Sequence, residues 1–140
     1  GIRDYVRGLE FRRVLFRSAD EVPEVGSGPE GPAALRTFLA RFLATYGHYG
    51  VVIRAWMEQQ VADRELDRLG VEAFTHIAEA FAARLAAAGA PHDQATVAAL
   101  MAMLERTTYA LTSRDQPVDR DTALDTLASV VHRGFFRPAV

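Results

Sequence analysis

The chain has 140 residues, 49% of them apolar and 24% charged, a globular composition long enough for one domain with a sizeable core. It contains no cysteine, which excludes a disulfide framework, a thiolate zinc site and a cysteine nucleophile; with no signal-like N-terminus and no apolar run of membrane-spanning length, the expected location is the cytoplasm. The net charge of −2 is uneven, since residues 1–18 hold five arginines against Asp4 and Glu10 while the rest holds eleven arginines against sixteen acids, so the acidic body has no counterion-release drive toward nucleic acid.

Residues 1–18 have the composition of a basic aromatic arm, with Tyr5, Phe11 and Phe16 among the arginines. The string Leu9-Glu10-Phe11-Arg12-Arg13-Val14-Leu15-Phe16-Arg17-Ser18, however, resembles the conceptual translation of a sequencing-library adaptor, and Gly1-Ile2-Arg3-Asp4 resembles its outer end. The expectation is that residues 1–18 are a non-native, adaptor-derived segment to be left out of fold reasoning. Leu9–Arg17 is still apolar enough to collapse as a short helix. On this reading the natural protein was truncated at Ala19, and its own N-terminus is missing.

Residues 19–31 are rich in Pro, Gly, Ser and acid and read as a loop or linker. From Pro32, a favoured residue at a helix start, Leu35, Phe38, Leu39, Phe42 and Tyr46 recur at steps of three and four, which predicts a helix ending at Gly47-His48-Tyr49-Gly50. A second, shorter helix is expected over about Val51–Val61, with Val52, Trp56 and Gln60 on one side and Ile53 and Met57 beside them. The third helix, roughly Arg64–Ala88, follows an Asp63 cap, carries a wide stripe through Leu66, Leu69, Ala73, Ile77 and Phe81, and stops at Gly89-Ala90-Pro91. The fourth runs from about Asp93 to Ser113, and the fifth from an Asp119 cap to about Phe136. The predicted class is therefore all-α, a bundle of about five helices.

The fourth helix is apolar on two sides, through Val97, Leu100, Met101, Leu104, Thr108 and Leu111 on one and Ala99, Met103 and Ala110 on the other. A helix apolar on two sides must be covered on two sides. The last two helices are thus expected to pack against a second copy, with Met103, Leu124, Leu127, Val131 and Phe135 at a two-fold homodimer interface.

No catalytic set, phosphate-cradling glycine loop or cofactor motif is visible, so no enzymatic, metal or DNA-reading role is assigned to any residue. Glu72, His76 and Glu79 share one side of the third helix. They read as an exposed polar face, because a di-iron bundle needs carboxylates and Glu-x-x-His pairs from several helices. The polar run Glu105-Arg106-Thr107-Thr108-Tyr109 lies inside an otherwise core-like helix. Thr108 and Tyr109 are expected to donate hydrogen bonds into an apolar effector pocket walled by Phe42, Trp56, Met57, Phe74, Phe81 and Met101. In another register Thr107 faces the pocket instead; the competing readings are that Glu105 and Arg106 reach solvent or each pair with another charge, and that the walls are plain core.

The body, about residues 32–137, resembles the C-terminal domain of TetR-type transcriptional regulators. The resemblance is carried by Ile53-Arg54-Ala55-Trp56-Met57-Glu58, Asp63-Arg64-Glu65-Leu66, Met101-Ala102-Met103-Leu104-Glu105-Arg106 with Tyr109, and the tail Val118-Asp119-Arg120-Asp121, Leu124-Asp125-Thr126-Leu127 and Val131-His132-Arg133-Gly134-Phe135-Phe136. It implies a domain that binds a small apolar effector among its first four helices and dimerises through its last two. In such regulators effector binding shifts a population between two dimer geometries and so moves two helix-turn-helix heads. Those heads have no counterpart before Ala19, so contact with DNA would run only through the missing N-terminal domain. Two alternatives are a stand-alone helical bundle with a metal or enzymatic site, and a structural dimerisation module without a cavity.

Overall fold

Among the described residues five helices follow one another: α1 (Ile2–Asp20), α2 (Gly31–Met57), α3 (Arg64–Ala87), α4 (Gln94–Ser113) and α5 (Arg120–Phe135). This computed structural model describes residues 2–58, 63–113 and 117–138, residues 2–7 as backbone, and no strand occurs among them. The all-helical bundle is as predicted, and α3, α4 and α5 match the last three predicted helices, but α1 and α2 differ from expectation.

The first difference is α1. The expected short helix over Leu9–Arg17 is part of a longer one: residues 2–20 form a single helix that packs along α3. Phe11, Leu15 and Ala19, one helical turn apart, are buried in the common core. An ion pair and a ring stack flank them: Arg12 meets Glu72 at 3.3 Å, and the Phe16 ring stacks on His76 at 4.5 Å. The following loop is also tied down. Val22 and Val25 are buried, Arg84 donates to the Val22 carbonyl (3.3 Å), and His132 Nε2 lies 2.9 Å from the Gly26 carbonyl. Gly31 faces that same imidazole, and a side chain there would collide with it.

The second difference is α2, which runs unbroken through Gly47-His48-Tyr49-Gly50. A glycine inside a helix costs about 1 kcal/mol against alanine, a penalty that packing outweighs here. Tyr46, Gly50 and Ile53 continue the buried face begun by Leu35, Phe38, Leu39, Phe42 and Leu43, while the Tyr49 ring leans on Phe11. The expected end of this segment at Val61, with Gln60, lies outside the described residues.

The remaining helix ends obey local chemistry. Asp63 accepts from the backbone N–H groups of Glu65 (2.9 Å) and Leu66 (3.3 Å), Asp93 from Ala95 (3.0 Å) and Thr96 (3.1 Å), and Asp119 from Thr122 (3.0 Å). After α3, Gly89 takes a left-handed φ of 71°; its N–H donates to Ala86 and that of Ala90 to Leu85, which closes a Schellman cap. Helix α5 lies on α2, where Arg36 pairs with Asp121 and Asp125, and α4 lies over α2 and α3. No helix among the described residues is long and apolar enough to cross a membrane.

Because Phe11 sits in the core, Phe11→Ala should lower the unfolding free energy by about 3–5 kcal/mol. A urea titration reads this directly. A variant within about 0.5 kcal/mol of the parent, the range of ordinary surface changes, would show that α1 is not docked.

Candidate functional site

Where α1, α2, α3 and α4 converge, their side chains enclose a small cavity. Its walls include Phe42, Ile53, Phe74, Ile77, Phe81 and Leu104, with Leu15 contributed by α1. The enclosed space is about 10 Å³, enough for about one water molecule. One end is polar. Tyr46 on α2 donates its hydroxyl hydrogen to Glu105 Oε1 on α4 at 2.9 Å, and both side chains line the cavity.

This pair is the chemical centre of an otherwise apolar cavity. Glu105 is 9% exposed and Tyr46 1%, and a carboxylate so placed is costly unless hydrogen-bonded. The Tyr46 hydroxyl supplies that bond, and Arg106 Nε stands 3.9 Å from the other carboxylate oxygen. Burial raises the Tyr46 pKa above the ordinary phenol value, and its hydrogen bond to Glu105 raises it further. The Arg54 and Arg106 guanidinium groups oppose this. Both lie near the face of Tyr109, at 5.2 and 5.1 Å from its ring centroid.

The expected pocket set divides. Phe42, Phe74, Phe81 and Met101 do line the cavity. Trp56 instead stacks behind Phe74 at 4.6 Å, and its indole N–H is held by the Asp67 carbonyl oxygen (3.2 Å) and carboxylate (3.1 Å). Gly70 allows that close approach, since any side chain there would strike the indole. Met57 is exposed. Thr108 is buried but does not line the cavity, and its carbonyl accepts from Thr112 (2.8 Å). Tyr109 packs against the two arginines. The hydrogen-bonding groups of the cavity are thus Tyr46 and Glu105, not Thr108 and Tyr109. Glu105 was visible in the sequence as a carboxylate on a core helix, whereas Tyr46, 59 positions away, carried no local mark.

The polar face of α3 is less open than expected. Glu72 is paired by Arg12 and by Arg68, and His76 lies under Phe16 with Asp20 at 3.7 Å. Only Glu79 of the three is fully exposed. Among the described residues no three His, Cys, Asp or Glu side chains gather as a metal site would require.

Two surface grooves border α4. The one between α3 and α4 holds about 400 Å³ and has Thr75, Glu79, His92 and Gln94 among its walls. The one between α4 and α5 holds about 390 Å³ and is lined by Met103, Thr107, Leu111, Val118, Ala123, Thr126, Leu127 and Val130. Of the expected interface residues, Met103 and Leu127 line this second groove, although Leu127 is mostly covered. Leu124 and Val131 are buried inside the single chain, so they offer no surface to a partner, and Phe135 is half-buried against the core. The exposed apolar groups here are Val118 and Val130. No family model, curated protein or solved structure matches the chain.

Removing the Tyr46 hydroxyl would leave Glu105 buried without its donor, so Tyr46→Phe should cost about 1–3 kcal/mol, measured by urea unfolding. The pH dependence has a definite sign. The unfolded chain loses the Tyr46 proton first, near pH 10, so this contribution is full below about pH 10 and is lost as pH rises toward the higher folded value. Tyr46→Phe should therefore show a shallower fall in stability above about pH 10 than the parent. An identical slope would contradict the assignment.

Proposed function

We propose that residues 32–137 are the effector-binding and dimerisation half of a TetR-like transcriptional regulator, paired as a homodimer through α4 and α5. The observation that carries the reading is the apolar groove between those helices, which a single chain leaves open and where Val118 and Val130 are exposed. A second copy related by a two-fold axis would present the same groove in return, and self-complementary burial of this kind is the usual basis of symmetric dimers. The enclosed cavity with its Tyr46–Glu105 end is consistent with an effector site, because such sites are mostly apolar with a few placed polar groups. The family assignment rests on the order and spacing of the sequence motifs.

Light scattering on the full chain should give about twice the 15.4 kDa chain mass, and Val130→Glu, a change at an exposed position, should shift it to the monomer without unfolding it. A parent chain that is monomeric at every concentration would end the dimer reading. The regulator assignment has its own check. Genomic DNA read upstream of the Ala19 codon should encode an in-frame helix-turn-helix, and an unrelated reading frame there would refute it while leaving the dimer intact.

A further inference from the structure

Met101 borders two spaces at once. It lines the enclosed cavity beside Phe74 and Glu105, and it also lines the groove between α3 and α4, whose other walls include Thr75, His92 and Val97. It is half-buried, so one side of the thioether meets the cavity and the other meets the groove. Methionine is unbranched, with three rotatable bonds, and refills irregular gaps at little cost. A rotamer change at this one residue would connect the groove, about 400 Å³ and open to solvent, to the cavity of about 10 Å³ behind it.

We infer that Met101 is the gate of a ligand passage between α3 and α4. The passage ends at the Tyr46–Glu105 pair and takes an apolar molecule bearing one O–H or N–H donor. This rests on the effector-binding reading above and specifies the ligand class and its route. The chemistry follows from hydrogen-bond inventory. An ionised carboxylate has about four acceptor positions; the Tyr46 hydroxyl occupies one, and Arg106 Nε is no closer than 3.9 Å to the second oxygen. Glu105 can therefore accept from a ligand donor while keeping Tyr46. Every other cavity wall is apolar apart from the Tyr46 hydroxyl, which is already committed. A molecule without a donor would leave the acceptor unfilled and displace any water that filled it.

The test uses the full chain labelled at its three methionine methyl groups and followed by NMR, with the Met101 signal assigned through Met101→Leu. Three probes share one shape: cyclohexanol, cyclohexylamine and methylcyclohexane. The two donors should each move the Met101 signal saturably, with Met57 and Met103 unmoved. Methylcyclohexane should bind roughly tenfold more weakly, the ratio that about one net hydrogen bond supplies. Preference for cyclohexylamine over cyclohexanol would identify an organic cation, and the reverse a neutral donor. Replacing both polar partners by apolar groups of similar shape is nearly neutral for folding, so Tyr46→Phe combined with Glu105→Leu should retain the fold and erase the donor preference. Independently, Met101→Ala should tighten cyclohexanol binding, read from the fluorescence of Trp56, which stacks on the cavity wall Phe74.

Equal affinity for all three probes, a preference that survives the double variant, or unaltered binding in Met101→Ala would overturn the inference. So would a Met103 response in place of Met101, since the ligand would then sit between α4 and α5. A dimer that binds none of the probes would sink this inference and leave the dimer reading standing; a monomer that binds them with the expected preference would do the opposite.

Discussion

Helix α4 is apolar around most of its circumference, and a helix of that kind must be covered on more than one side. Within one chain it is covered incompletely. Leu100, Leu104 and Thr108 are buried against α2 and α3, and Met103, Thr107 and Leu111 are left half-covered beside α5. The enclosed cavity and both flanking grooves adjoin this one element. Its inner face meets the cavity, its Met101 edge meets α3 across one groove, and its Met103 edge meets α5 across the other. The placement of a ligand and the placement of a partner are therefore questions about the same helix.

The Tyr46–Glu105 bond ties α4 to α2 inside the core. A buried pair of opposite charges must recover two desolvation penalties. Here one partner is a neutral hydroxyl, and the Arg106 guanidinium 3.9 Å from the carboxylate lies toward the surface, its side chain 74% exposed. The arrangement resists ionisation of the phenol and leaves the carboxylate with unused acceptor capacity. A tyrosine and a glutamate thus serve both as a structural strut and as the polar end of the interior.

Much of the architecture could be read locally. Asp63, Asp93 and Asp119 start helices and Gly89 ends one because caps depend on a few adjacent residues. The failures share a different origin. Gly47 and Gly50 looked like a break because their intrinsic cost is local, whereas Tyr49 against Phe11 and Ile53 in the core are long-range gains. Because residues 1–18 resemble an adaptor, Phe11 and Leu15 carry no weight in the sequence pattern and the face of α3 with Glu72 and His76 reads as solvated, although α1 covers it. Leu124 and Val131 were placed at an interface because periodicity shows which residues are apolar without showing whether α2 or another chain covers them. Half of the expected pocket residues line the enclosed cavity, for a related reason. Phe42, Phe74, Phe81 and Met101 lie on the expected faces, but the polar end required two helices to meet.

Helix geometry adds a constraint of its own. Residues two apart on an α-helix point about 200° away from one another, so Met101 and Met103 face nearly opposite flanks of α4. If α4 turned about its axis to withdraw Met101 from the cavity, Met103 would move in the groove against α5 at the same time. Packed helices accommodate shifts of about 1–2 Å at interfaces of this kind, and no relay of intervening residues is needed, because the cavity and the groove are two sides of one rigid element. Such a turn couples the two sites thermodynamically only if the filled cavity and the paired groove favour different orientations of α4. If Met101 moves instead by its own rotamer change, leaving α4 in place, the groove beside α5 is undisturbed. The stiffness of the helix against the flexibility of one methionine decides whether the cavity communicates with the groove beside α5.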